Sequence, residues 1–218
     1  MNIEARELSL IYDGDKDAMT VAVDNVDITL GKNEMVGVMG PSGSGKSSLL
    51  YLLSGLKKPT AGSVFYDGKA LPLLNEPQMD RLRRECFGFI FQRHFLIWHL
   101  TVLENILLPL TSISDKDIKE ALCLMDALGM RKHENKRTAE LSVGERQKAA
   151  ILRALIHKPQ ILFADEPTAS LDMDTSLAVM ELMRNRLQDS GMIVVTHDYK
   201  ILKHADRIIH MRDGRIMT

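Results

Sequence analysis

Gly40-Pro41-Ser42-Gly43-Ser44-Gly45-Lys46-Ser47-Ser48 is the stretch of this 218-residue chain most clearly spaced for chemistry. It fits G-x-x-x-x-G-K-[ST], in which glycines let the backbone curl until successive N–H groups face an anion. In such a loop Lys46 reaches the outer phosphates of a nucleotide, and the Ser47 hydroxyl ligates Mg²⁺. The apolar run before it and the helical pattern that begins at Lys46 supply the flanking strand and helix, whose N-terminus adds partial positive charge. Alone, the loop marks a nucleotide phosphate site without saying which kind. A second signal is the apolar strand pattern 161–164, which runs into two carboxylates, Asp165 and Glu166. Ligands of parallel sheets sit at such C-terminal strand ends. There Asp165 is placed to hold Mg²⁺ through water and Glu166 to polarise an attacking water. By itself the pair reads equally well as an acidic helix cap, because Pro167-Thr168 suits a turn. Beside a phosphate loop the catalytic reading prevails.

The elements that must position these residues follow from periodicity and stop signals. Short apolar runs predict buried strands over 35–39, 87–91, 161–164 and 192–196. Helical patterns over 46–54, 115–128, 144–157 and 174–189 end at Gly55, Gly129, Pro159 and Gly191. Strands alternating with helices imply an α/β core with a mainly parallel sheet. Asp67-Gly68 and Asp213-Gly214 read as hairpin turns. The first thirty residues alternate like strands, with turn residues at Asp13-Gly14 and Asp24-Asn25. The stretch from about 93 to 140 reads as almost wholly helical and is expected to be an inserted lobe.

Composition sets the bounds. Apolar residues make up 45% and charged residues 26%, as in an ordinary globular domain. A net charge of −1 gives no electrostatic case for nucleic acid as a partner. The acidic N-terminus lacks the apolar core of a secretory signal, and no run approaches the length of a membrane span. Cys86 and Cys123 form no paired motif and are expected to be reduced thiols.

Further segments then fall into one order. Leu141-Ser142-Val143-Gly144-Glu145 resembles the signature of the ABC ATPase family, and Arg146-Gln147-Lys148 and Arg153-Ala154-Leu155 follow it as in that family. Gln92 resembles the Q-loop glutamine, Ser170-Leu171-Asp172 the D-loop and Thr196-His197-Asp198 the switch-histidine segment. Tyr12 stands where the family places an adenine-stacking aromatic. The resemblance covers the whole chain and implies one ABC ATPase domain over 1–218: a P-loop NTPase core, an N-terminal antiparallel β subdomain and the inserted α-helical lobe. It implies ATP and Mg²⁺ as ligands, with Gln92 at the metal or the lytic water and His197 at the γ-phosphate. It further implies a head-to-tail homodimer in which Ser142 and Gly144 meet the partner's nucleotide. An integral-membrane permease would hold the chain peripherally on the cytoplasmic face.

Val143 departs from the family's usual glycine. A β-branched residue tolerates positive φ poorly, so ordinary backbone is expected there. Gly88-Phe89-Ile90-Phe91-Gln92 and the segment 100–110 most resemble the lipoprotein-release, macrolide-export and peptide-resistance subfamily, and the apolar segment 95–110 is expected to contribute a groove for a permease helix. A mechanical or regulatory ATPase that moves no solute stays open as an alternative, as does a soluble non-transport ABC ATPase.

Overall fold

A computed structural model describes residues 2–13, 19–71 and 75–217. Two β-rich layers enclose the phosphate loop because the sequence alternates in two different ways. Along β1 (Ile3–Asp13) and β2 (Met19–Leu30), buried and exposed residues alternate towards the C-terminal half of β2, the pattern of an antiparallel sheet with one wet face. These strands join β4 (Ala61–Tyr66) and β5 (Lys69–Ala70) in an antiparallel sheet of order β2-β1-β4-β5. By contrast β3 (Met35–Met39), β6 (Phe87–Ile90), β7 (Ile161–Asp165) and β8 (Gly191–Val195) are buried almost throughout. With β9 (Arg207–Arg212) and β10 (Arg215–Met217) they form a second sheet of order β10-β9-β3-β8-β7-β6. It is parallel from β9 to β6, and β10 pairs antiparallel at its edge. The expected α/β core with an antiparallel N-terminal subdomain is thus observed.

The helix α1 (Lys46–Leu53) lies between the two sheets, touching β1, β2, β7 and β8. Its leucines at 49, 50, 52 and 53 are all buried, so it is apolar on nearly every side. Each such leucine contributes about 1.5–3 kcal/mol relative to exposure. On the far face of the parallel sheet lie α3 (Val102–Leu107), α4 (Asp115–Ala127), α5 (Val143–Leu155) and α6 (Met173–Arg186), around a second core that includes Ile106, Met125, Leu152 and Met183.

Three details differ from expectation. The helix α2 (Glu76–Cys86) has no counterpart in the sequence reading; only Met79 is buried along it, so apolar periodicity could not reveal it. Its local signals are an Asn75/Gln78 capping box and Pro77 in the first turn. Asp24-Asn25 is a kink inside β2: Asn25 has φ 49 and its N–H donates to Ser9 Oγ at 3.0 Å. Finally, 93–140 holds α3, α4 and short 3-10 turns, but residues 91–100 preceding α3 are irregular. Gly14, of the expected first turn, lies outside the described residues. Cys86 and Cys123 are both free.

Candidate functional site

The phosphate loop is closed by contacts that only glycine permits. A Cβ on Gly45 would stand 2.0 Å from the Ala22 carbonyl oxygen, and Gly45 takes φ 96 as the residue before α1. On Gly40 it would stand 2.2 Å from the Met211 carbonyl oxygen. The loop is therefore clamped between β2 and β9, with Gly43 free at its tip. Lys46 is 9% exposed and its Nζ donates to the carbonyls of Gly40 at 2.8 Å and Pro41 at 2.7 Å. Its charge is thereby held inside the loop it serves, with Ser44 Oγ 3.4 Å away.

Asp165 ends β7 and is 2% exposed. Burial pushes its carboxyl above the ordinary range, and Glu166 adds to that; hydrogen bonds from Ser47 and Tyr51 and the charge of Lys46 pull the other way. Ser47 and Tyr51 stand four residues apart on one face of α1, which is how both reach the same carboxylate. Sequence reasoning missed Tyr51, although that spacing was the available signal.

Glu166 sits at a sharp corner with φ 49, and its N–H donates to the Val195 carbonyl at 2.8 Å. For a residue with a Cβ the left-handed region costs about 1 kcal/mol. The neighbouring strand supplies what holds it: Thr196 Oγ1 donates to Glu166 Oε2 at 3.1 Å, and His197 Nδ1 lies 2.9 Å from Oε1. The Glu166 hydrogen bond raises the His197 pKa above its usual value, with Coulomb attraction to Glu166 next. Thr196 is a second residue that sequence reasoning quoted without giving a role.

These groups line one cleft of about 510 Å³, of the size that takes a small molecule. Tyr12, Gly40 to Lys46 (Ser44 is buried behind the wall), Ser47, Ser48, Gln92, Asp165, Glu166 and His197 all meet there. Tyr12 brings its hydroxyl to 3.4 Å from Ser48 Oγ, and the Lys57 ammonium sits 4.9 Å from its ring centre. Thr20, Ala22 and Ala169 also line the cleft and carried no recognisable motif.

The signature residues lie elsewhere. None of Ser142, Val143, Gly144 and Glu145 borders that cleft. Ser142 caps α5 and Val143 is its first residue, with no positive φ and a side chain 51% exposed. The ordinary backbone expected for Val143 is observed. A Cβ on Gly144, however, would stand 3.1 Å from the Ser170 carbonyl oxygen. Space is therefore tight for a side chain at 144, whereas the side chain at 143 stands exposed. Gly144 thus brings the start of α5 close beside the Ser170-Leu171-Asp172 segment. Asp172 caps α6 by accepting from the Thr175 N–H at 2.9 Å.

Comparison with known proteins agrees with this architecture. The ABC transporter family model matches residues 23–169. An uncharacterised ABC transporter ATP-binding protein of Methanocaldococcus jannaschii is 40% identical over 221 residues, covering 99% of this chain and 97% of its own length. The lipoprotein-releasing system ATP-binding protein LolD of Hydrogenovibrio crunogenus is 43% identical over 204 residues, covering 91% of this chain and 88% of its own. The dimeric structure of the bacterial ABC transporter cassette MJ0796 superposes with a TM-score of 0.92 at 34% identity, over 99% of this chain and 97% of that one. A post-hydrolysis dimer of that cassette bound to ADP and Pi gives 0.91 at 32%, with the same coverage. By sequence along its whole length and by fold, this chain belongs to the ABC transporter family, as an ATP-binding and ATP-hydrolysing subunit.

Proposed function

We propose that two copies of this chain sandwich two ATP molecules head to tail, each held by the Lys46 loop of one copy and capped by Ser142 of the other. Hydrolysis opens the pair and drives a separate membrane permease. The supporting observation is the Glu166 corner: a carboxylate fixed by Thr196 and His197 in the cleft that Lys46, Ser47 and Asp165 also line.

In this reading the loop N–H groups and Lys46 take the β- and γ-phosphates, and Tyr12 offers its ring to the adenine. Ser47, Asp165 through water and Gln92 provide the hard oxygen donors that suit Mg²⁺. The buried Asp165, whose carboxyl burial disfavours as an anion, is the kind of group a cation stabilises. When bound there, the ion supplies neutralisation of charge at the β- and γ-phosphate oxygens. Glu166 accepts a proton from the attacking water as its oxygen bonds to the γ-phosphorus. The bond to the β–γ bridging oxygen breaks and ADP leaves. His197 keeps Glu166 aimed and contacts the γ-phosphate. Ser142 and the N–H of Gly144, at the N-terminus of α5, cap that phosphate from the other copy, and the Ser170-Leu171-Asp172 segment moves with them.

The lobe at about 93–140, within a single domain over 1–218, links this chemistry to the permease. Arg153 of α5 donates to the carbonyls of His94 at 2.9 Å and Phe95 at 2.7 Å, and Gln147 Oε1 lies 2.8 Å from His94 Nε2. A push on the loop after Gln92 is thereby passed to the helix that Ser142 caps. The receiving surface in this reading is a groove of about 230 Å³ lined by Phe89, Phe91, Arg83 and Arg84, to which the segment 95–110 contributes Pro109. Phe95 and Trp98 stand exposed nearby in sequence. None of the described helices is long and apolar enough to cross a membrane. In this reading a permease holds the chain on the cytoplasmic face, and the subfamily is that of lipoprotein release, macrolide export and peptide resistance, the first of which the names of the LolD relatives support.

The test is Glu166→Gln, which keeps shape and removes the base. ATP binding is expected to persist, turnover to fall about 10²–10⁴-fold as for loss of a general base, and an ATP-held dimer to appear on size exclusion. Near-normal turnover would move the base to another residue.

A further inference from the structure

Among the described residues, His133 is a buried titratable group that the mechanism above leaves unused. His133 closes the 3-10 turn Arg131–His133 in the lobe, and its side chain is 6% exposed. Its Nε2 lies 3.0 Å from Glu145 Oε1, while its Nδ1 is buried with no hydrogen-bond partner. Glu145 is the last residue of the signature. Its other oxygen, Oε2, accepts both the Ser142 N–H at 2.8 Å and the Ser142 hydroxyl at 2.9 Å. Glu145 returns its own N–H to Ser142 Oγ at 3.3 Å. The Ser142 N–H, then its hydroxyl, hold the Glu145 carboxyl below the usual range against the effect of burial, with weaker attraction from His133 and Lys136.

An ionised carboxylate only accepts hydrogen bonds, so the hydrogen between the two side chains belongs to His133 Nε2. That N–H removes the freedom a capping glutamate otherwise has. With Oε1 tied to a buried ring, the carboxylate cannot rotate, and Oε2 stays aimed at Ser142. The orphaned Nδ1 is a cost that a purely packing residue would not carry, because an apolar side chain of similar volume leaves nothing unsatisfied.

We propose that His133 is a positioning residue for the signature serine: through Glu145, whose Oε2 holds the Ser142 N–H and whose own N–H holds Oγ, it fixes where Ser142 Oγ stands, and the one hydroxyl hydrogen turns from Oε2 to the partner's γ-phosphate when the dimer closes. This rests on the trans role of Ser142 proposed above. Without that contact the Ser142 cap has orientations to lose when the two copies meet, and ordering it at the interface should weaken ATP-driven dimerisation about tenfold. Capture of ATP by the monomer should not change, because the Lys46 loop is remote from His133.

The experiment compares His133→Leu and His133→Gln in the full chain carrying Glu166→Gln, which traps the dimer, with Ser142→Ala as reference. His133→Leu keeps volume without a donor, whereas His133→Gln restores an N–H at nearly the same reach. The expected results are an ATP affinity of the monomer unchanged in both, a dimer dissociation constant about tenfold higher in His133→Leu, and recovery to within about twofold in His133→Gln. Should His133→Leu fail to fold, ¹⁵N spectra of the Glu166→Gln chain carrying native His133 decide: protonated Nε2 supports the assignment, and a ring protonated at Nδ1 alone overturns it. Parental dimerisation in His133→Leu would overturn it too, as would a His133→Gln chain as weak as His133→Leu at equal thermal stability. If Ser142→Ala itself dimerises normally, the trans reading of Ser142 fails first, and the role of His133 fails with it.

Discussion

Glu166 shows how single residues in this chain trade stability for placement. Its left-handed backbone costs about 1 kcal/mol, and the strand-end carbonyl of Val195, the Ala169 N–H and the side chains of Thr196 and His197 hold it there. The His197 contact has a pH signature. Because the Glu166 bond raises the pKa of His197 above 6.5, the folded state binds that proton more tightly than the unfolded chain. The linked stability is therefore present in full below the unfolded value, and is lost as pH rises through the raised folded value. His197 is largely exposed, so the effect is small in energy but readable by NMR. Its titration midpoint is expected above 6.5 in the parent and closer to 6.5 in Glu166→Gln; a parental midpoint at or below 6.5 would show that the pair does not form in solution. At this scale the sequence was informative wherever a motif has a fixed spacing. Lys46, Asp165, Glu166 and His197 were placed by order and flanking pattern. Tyr51 and Thr196 were not, because hydroxyls that support a carboxylate carry no motif of their own. Tyr12 was legible only through its resemblance to a family position.

Among the elements, the buried ones were the easiest to read. The strand over Met35–Met39 was bounded correctly, and β6, β7 and β8 to within one residue, because a strand covered on both faces is a continuous apolar run with polar ends. Helix α5 began one residue earlier than expected: Ser142 caps it, and Val143 rather than Gly144 is its first residue. Helix α2 was invisible for the opposite reason, since nearly all of it faces solvent. Local ion pairs decorate it: Arg83 with Asp80, at 2.5 Å, and Arg81 with Glu85. Exposed pairs of this kind contribute about 0–1 kcal/mol each and leave no periodic signal. The kink at Asn25 looked like a turn because asparagine accepts positive φ in either setting. The irregular run before α3 matters for coupling. Phe95 takes φ 46, is 61% exposed and meets the Phe91 ring edge-on at 5.4 Å. Trp98 is 72% exposed. An apolar surface left uncovered in this way suits a partner helix. Trp98→Asp is expected to abolish the permease-stimulated part of ATP turnover while ATP turnover without permease stays within about twofold, as for a surface change away from the core. Equal loss of both activities would count against a docking role for Trp98.

At the scale of the whole molecule, the two halves of the chemistry sit apart. The Lys46 loop, Asp165 and Glu166 face one cleft, whereas Ser142 and Val143 are exposed at the start of α5 outside it. In one chain the signature therefore has nothing to cap. In the proposed head-to-tail pair a second copy would bring its nucleotide to the signature, an expectation that came from family resemblance alone, because spacing along one chain says nothing of which copy a residue serves. The most direct measurement mixes two inactive chains. Lys46→Ala removes the cation from the phosphate loop, and Ser142→Arg blocks the signature. Neither homodimer holds a sound site. In the mixed pair one composite site carries both defects, but the other joins the intact loop of the Ser142→Arg chain to the intact signature of the Lys46→Ala chain. ATP turnover is therefore expected to appear on mixing and to grow with the fraction of mixed pairs, while each chain alone stays at background. A mixture no more active than the sum of its two components, with mixed pairs demonstrably formed, would contradict the head-to-tail assignment.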